Sequence, residues 1–299
     1  MILAENSYGE SRVRLVKVTR QPDRHDLKEI GVDIYFEGGF EAVYKDGDNS
    51  GVLPADTLKN TVYALASQTG METIEEFGLR LAGHFMSNNP GLSRVRVDLA
   101  EHTWEHMPAG GRPQRSAFLQ AGQEKHIARI QALRDGVKAE SGIEDLIVMK
   151  TSGSAFAGYK KDEYTTLAET QDRLFRTAIR ARWNYTSPDI SYGPAWHGIR
   201  QMILDTFAEH DSKSVQHTLY AIGENVLEQC EEIDEIHLSL PNKRCLPVDL
   251  GRFGLANHNE IFVPVDEPAE LIEATLKKSA TWTSSSAGSQ TRRLRLRLR

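Results

Sequence analysis

The sequence predicts an α+β protein built from two tandem halves of one design. Three observations predict it. Strand-like alternation of apolar and charged residues flanks each half, a pair of amphipathic helical stretches lies inside each, and the order strand pair, helix pair, strand pair occurs twice. The two copies meet near Gly136 to Gly142, which gives a first half over 1–139, a second over 140–278 and a tail over 279–299. The repeat is one of element order, not of residue identity.

The elements follow in chain order. Arg12 to Arg20 (RVRLVKVTR) alternates with period two, and a second such stretch runs from Leu27 to Val43 after a turn at Asp23 to Asp26, so the pair reads as a long hairpin. A helix opening at Asp56 carries Leu58, Val62, Leu65 and Ala66 on one face. The next opens at Thr73, where Thr73 and Glu76 fit a capping box and Ile74, Phe77, Leu81 and Phe85 follow at helical spacing. Alternation returns over Arg94 to Trp104, near Ser116 to Gly122 and over His126 to Leu133. In the second half, strands are expected at Ile143 to Lys150 and Arg176 to Tyr185. Helices are expected over Pro194 to Glu209 and Lys213 to Cys230, and strands again at Ile236 to Leu240 and Ile261 to Val265. Ser279 to Gln290 is Ser-, Thr- and Ala-rich and reads as a flexible linker, while Arg292 to Arg299 (RRLRLRLR) alternates like an exposed strand.

Composition narrows the function. With 299 residues, 39% hydrophobic and 26% charged, the chain has the make-up of a globular protein with one large core or two ordinary ones. A net charge of -6 argues against a general nucleic-acid partner, whose phosphates need surplus Lys and Arg. There is no apolar run long enough for a membrane span, and Met1 to Asn6 is too short and polar for a secretory signal, so a cytoplasmic location is expected. Cys230 and Cys245 lack the spacing of a thiolate metal site or a disulfide framework and read as buried thiols.

Generic motifs give little. His102-Thr-Trp-Glu105-His106 matches a zinc-peptidase pattern that needs its two histidines one helical turn apart. It continues the period-two run from Arg94, however, and on a strand residues four apart are separated by about 13 Å. No metal is expected there. Pro108 to Pro113 lacks the Lys and spacing of a phosphate loop and reads as a turn.

Longer stretches are more specific. Lys150-Thr151 is followed by Phe156, Gly158, Asp162-Glu-Tyr-Thr-Thr-Leu167, Glu169, Thr170 and Asp172-Arg173-Leu174. With them go Asp56-Thr-Leu-Lys-Asn-Thr61, Thr206-Phe-Ala-Glu209, Ser214-Val215-Gln216 and Ser239-Leu-Pro-Asn-Lys243. Together they resemble urate oxidase (uricase) over about Tyr8 to Thr275. The resemblance implies a tunnelling fold of two ββααββ halves, with antiparallel sheets and helices on one face. It further implies a homotetramer with active sites between subunits, and attack of O2 on the urate anion with neither metal nor organic cofactor.

It also implies roles for individual residues. Arg173 offers a planar fork of donors to an anionic purine edge, and Gln216 offers donor and acceptor groups to the opposite edge. Phe156 is the aromatic on which substrate stacks, Leu167 and Val215 are apolar walls, and Asn242 lies near the dioxygen or water site. Asp56 opens a helix whose backbone N–H groups can hold a negative ligand edge.

The catalytic relay departs from the family pattern. The family's lysine, threonine and histidine positions read Glu10, Ala55 and Arg244. Alanine carries no proton, and an arginine guanidinium does not release one near neutrality. Glu10 could act as a base if its surroundings tuned it, or pair with Arg244 across a subunit interface. Three readings stay open: an oxidase of urate or a close analogue with a modified relay, an enzyme doing other work on a purine- or pteridine-like ring, and a non-catalytic purine-binding homologue.

Overall fold

The computed structural model describes residues 2–68, 70–265, 267 and 270–279. Eight strands form one antiparallel sheet. In chain order they are β1 (Tyr8–Arg20), β2 (His25–Gly38), β3 (Leu92–Ala109), β4 (Arg112–Leu133), β5 (Gly136–Lys150), β6 (Phe175–Tyr185), β7 (Ile233–Ser239) and, last, β10 (Glu273–Lys277). Each pairs with the next, and β1 and β10 are the two edges. A separate two-stranded ribbon joins β8 (Cys245–Pro247) to β9 (Phe262–Pro264). The helices are α1 (Glu41–Asp46), α2 (Ala55–Gln68), α3 (Ile74–Asn88), α4 (Tyr192–Glu209) and α5 (Val215–Gln229).

Alternation in the strands decides which face is covered. Ile30, Val32, Ile34 and Phe36 of β2, and Val95, Val97 and Leu99 of β3, are buried with Ile74, Phe77, Leu81 and Phe85 of α3 in one core that continues into the second half through Trp183, Ile199 and Ile222. The opposite face is polar. There Arg94 meets Glu37 at 3.3 Å, Arg129 meets Asp98 at 2.6 Å and Arg182 meets Glu140 at 3.0 Å across neighbouring strands.

Several helix ends follow from the sequence. The Thr73 hydroxyl accepts the Glu76 N–H at 3.3 Å at the start of α3, and the Ser214 hydroxyl accepts the His217 N–H at 3.1 Å at the start of α5. Side chains tie α3 to β4 and β5: buried Glu75 accepts from His126 Nε2 at 2.7 Å and from the Ser141 hydroxyl. Burial pushes the Glu75 carboxyl up, but its bonds to His126 and Ser141 outweigh that and hold it below the ordinary range.

Three expectations change. The second strand ends at Gly38, and the chain through Val43 forms α1 because it leaves the sheet at Gly38-Gly39. The stretch at Ile261 to Val265 does become a strand, but it pairs with β8 in the small ribbon, and the main sheet closes instead on β10. The alternation near Ser116 and that from His126 belong to one long β4, bent by register shifts against β3. His102 to His106 lies on β3, with one of those shifts between His102 and Trp104. Among the described residues no group of three or more His, Cys, Asp or Glu is placed to hold a metal ion, and no helix is long and apolar enough to cross a membrane. The free thiols Cys230 and Cys245 are half-buried. The Arg-Leu stretch from Arg292 to Arg299 lies outside the described residues.

Candidate active site

The expected binding residues gather where the connection between β5 and β6 meets the start of α5. After β5 the chain makes a parallel bridge from Ser154 to Ser212: Ala155 N–H donates to the Ser212 carbonyl at 2.7 Å, and Ser212 N–H to the Gly153 carbonyl at 3.0 Å. That bridge fixes Phe156 beside the helix start that carries Val215 and Gln216. Phe156 in turn pairs with Thr170 through backbone bonds of 2.8 and 3.0 Å, and Arg173 N–H donates to the Ser154 carbonyl at 2.8 Å. The intervening loop is shaped by Asp162, which accepts from Tyr164 N–H at 3.0 Å and from the Thr165 hydroxyl at 2.9 Å, and by a Lys161–Glu169 pair at 2.7 Å.

The side chains make one aromatic and cationic surface. The guanidinium of Arg173 lies 5.1 Å from the Phe156 ring centre, and Tyr159 stacks on Phe156 at 4.8 Å with 18° between planes. The Tyr159 hydroxyl donates to the Leu167 carbonyl, which leaves the Leu167 side chain 53% exposed. Val215 is buried in the core, while Gln216 beside it is exposed. Burial pushes Arg173 down from its ordinary value and the charge of Glu270 pushes it back. Its Nε is buried without a hydrogen-bond partner, so this donor is available to a ligand.

Asn242 and Arg244 approach from the strand end beyond β7. Asn242 is 5% exposed and bridges Thr177 of β6 to Glu270, donating from its side-chain nitrogen to Glu270 Oε2 at 2.9 Å. Arg244 Nε lies 3.8 Å from Glu270 Oε1. Within the chain, then, the carboxylate facing Arg244 is Glu270 and not Glu10.

Glu10, Ala55 and Asp56 stand elsewhere. Glu10 is half-buried on β1 opposite Ile34, just before a register shift at which Arg12 takes a positive φ of 60°. Its neighbour Gly9 is packed so closely on β2 that a Cβ would lie 1.8 Å from the Ile34 carbonyl oxygen, so only glycine fits. Ala55 and Asp56 are exposed at the first turn of α2. A 2.5 Å pair with Lys59 is the largest influence holding the Asp56 carboxyl below its ordinary value. The same pairing raises Lys59, with a small contribution from Glu10. Five strand spacings separate β1 from β6, roughly 24 Å along the sheet at about 4.8 Å each. One chain does not bring the two groups together.

Sequence reasoning missed Tyr159 and Glu270. A tyrosine three residues after Phe156 was visible. Nothing local distinguished Glu270 from its acidic neighbours.

Comparison with known proteins adds the decisive observation. The uricase family model matches residues 6–131 and 139–273. The chain belongs to the uricase family. It is 39% identical to the uricase of Arthrobacter globiformis over 281 residues, covering 94% of this chain and 91% of that one. It is 35% identical to the uricase of Dictyostelium discoideum, covering 93% and 98%. The crystal structure of uricase from Arthrobacter globiformis superposes with a TM-score of 0.90 at 38% identity over 96% of this chain and 98% of that one. A urate oxidase from Bacillus sp. TB-90, at 23% identity and a TM-score of 0.81, shares the fold. This uricase-family chain has the tunnelling fold and is a urate oxidase-like enzyme.

Proposed function

We propose that the chain oxidises urate or a closely related purine with O2, without metal or organic cofactor, in a site shared between two subunits. The observation that carries this reading is the Phe156, Arg173 and Gln216 cluster: an aromatic face, a partly desolvated guanidinium with a free donor, and an amide at a helix start. These groups suit a flat, diketo, nitrogen-rich ring. In the balanced reaction, urate, O2 and one water give 5-hydroxyisourate and hydrogen peroxide. Phe156 and Arg173 hold the ring in place, and Asn242 lies over the dioxygen or water position.

The two widely separated groups of residues favour a site completed by a second copy, with Glu10, Ala55 and Asp56 of one subunit meeting the Arg173 cluster of another. The 13-residue edge strand β1 supports this, because its outer edge has no partner strand among the described residues. We further read the two halves as units over 1–139 and 140–278, and the setting as the cytoplasm. A second reading, a different reaction on a purine- or pteridine-like ring, is favoured by Arg244, which cannot return a proton near neutrality.

Aerobic incubation with urate, following urate loss and oxygen uptake together, tests the first reading. Equal consumption of both is expected. Binding of urate with no oxygen uptake would overturn it in favour of the second.

A further inference from the structure

Glu270 stands where the altered relay position and the dioxygen-site asparagine meet. Its backbone carbonyl accepts Asn242 N–H at 3.3 Å, its Oε2 accepts the Asn242 side chain at 2.9 Å, and its Oε1 lies 3.8 Å from Arg244 Nε. The Glu270 side chain is about half exposed, and its charge opposes the lowering that burial imposes on Arg173. One carboxylate therefore meets both the Asn242 amide and the Arg244 guanidinium at this end of the pocket.

A pocket selects an anionic ring by presenting cationic donors with no other anion to satisfy. Here an incoming anion meets a like charge beside Asn242, a juxtaposition that opposes binding. A neutral ring keeps every hydrogen bond that Arg173 and Gln216 can donate and meets no such repulsion. Arginine at 244 keeps a permanent cation 3.8 Å from this carboxylate, whereas a histidine would lose its charge with its proton.

We infer that Glu270 is a specificity-determining residue that sets the pocket for a neutral purine-dione ring over the urate monoanion. The inference rests on the purine reading of the pocket proposed above.

The test is calorimetric titration of the full-length protein with urate and with xanthine, at a mildly acidic pH where xanthine is neutral and urate an anion. Glu270→Gln keeps an acceptor for the Asn242 amide while removing the charge. Glu273→Gln, an exposed carboxylate on β10, controls for net charge. Expected is xanthine bound at least as tightly as urate by the unaltered protein. In Glu270→Gln, urate should gain about tenfold in affinity and xanthine less than about twofold, with Glu273→Gln changing neither. If both ligands bind and Glu270→Gln leaves their ratio unchanged, or if Glu273→Gln shifts it equally, Glu270 does not set specificity. Should neither ligand bind any of the proteins, the purine reading itself fails and the inference with it.

Discussion

The two regions that carry the expected site residues are built differently. Around Phe156 and Arg173 the backbone is tied at Ser154, Phe156, Thr170 and Ser212, and Asn242 is buried. Around Ala55 and Asp56 the side chains are exposed on the first turn of a helix, where the charge of Asp56 is answered by Lys59 and solvent. The expected binding residues Phe156, Arg173 and Asn242 stand on the first region, whereas of the altered relay positions Ala55 stands on the second, Glu10 on β1 and Arg244 close to Asn242. A tied region holds geometry against substitution, while an exposed helix start tolerates the replacement of a threonine by alanine at little cost to folding. The proposed pairing of a retained binding face with an altered relay fits that contrast.

The contrast is meaningful only if both regions belong to one cooperative body, and Glu75 is the sharpest place to break that. Glu75→Ala would leave His126 and Ser141 facing a buried gap. It should cost about 3 kcal/mol of stability in denaturant unfolding. The isosteric Glu75→Gln gives the pH signature. Because the folded-state pKa of Glu75 is depressed, its contribution is full above the unfolded carboxylate value near 4.3 and is lost as pH falls through the lower folded value. The advantage of the unaltered protein over Glu75→Gln should therefore shrink as pH is lowered below about 4.

Within the tied region, Arg173→Ala should weaken binding of a purine dione about fiftyfold by calorimetry. Combining Glu10→Lys, Ala55→Thr and Arg244→His should raise the initial rate of urate-dependent oxygen uptake by about tenfold or more. If the rate does not rise, these positions do not govern activity. Asp56→Asn, at an exposed and solvent-screened carboxylate, should change urate affinity by less than about twofold.

Most of the scaffold was legible from local chemistry. Thr73 with Glu76 marked the start of α3, and the period-two runs of β1 and β3 marked them as strands. The short α1 was not legible, because six residues carry too little periodicity to oppose the strand-like run before them. Nor was the partner of β9, since alternation marks a strand without saying which edge it joins. In the site, Phe156 and Arg173 were legible from their motif. Glu270 was not, because its meeting with Arg244 and Asn242 depends on a return of the chain that no local pattern encodes.

Subunit mixing tests the division of the site most directly. Arg173→Ala disables the tied region, and Ala55→Trp blocks the helix start. Each variant alone should bind purine dione poorly, and co-refolded mixtures should regain a fraction of the binding sites, because some interfaces then pair an intact Arg173 with an intact Ala55. Mixtures that bind no better than the separate variants would contradict a site shared between two copies of the chain.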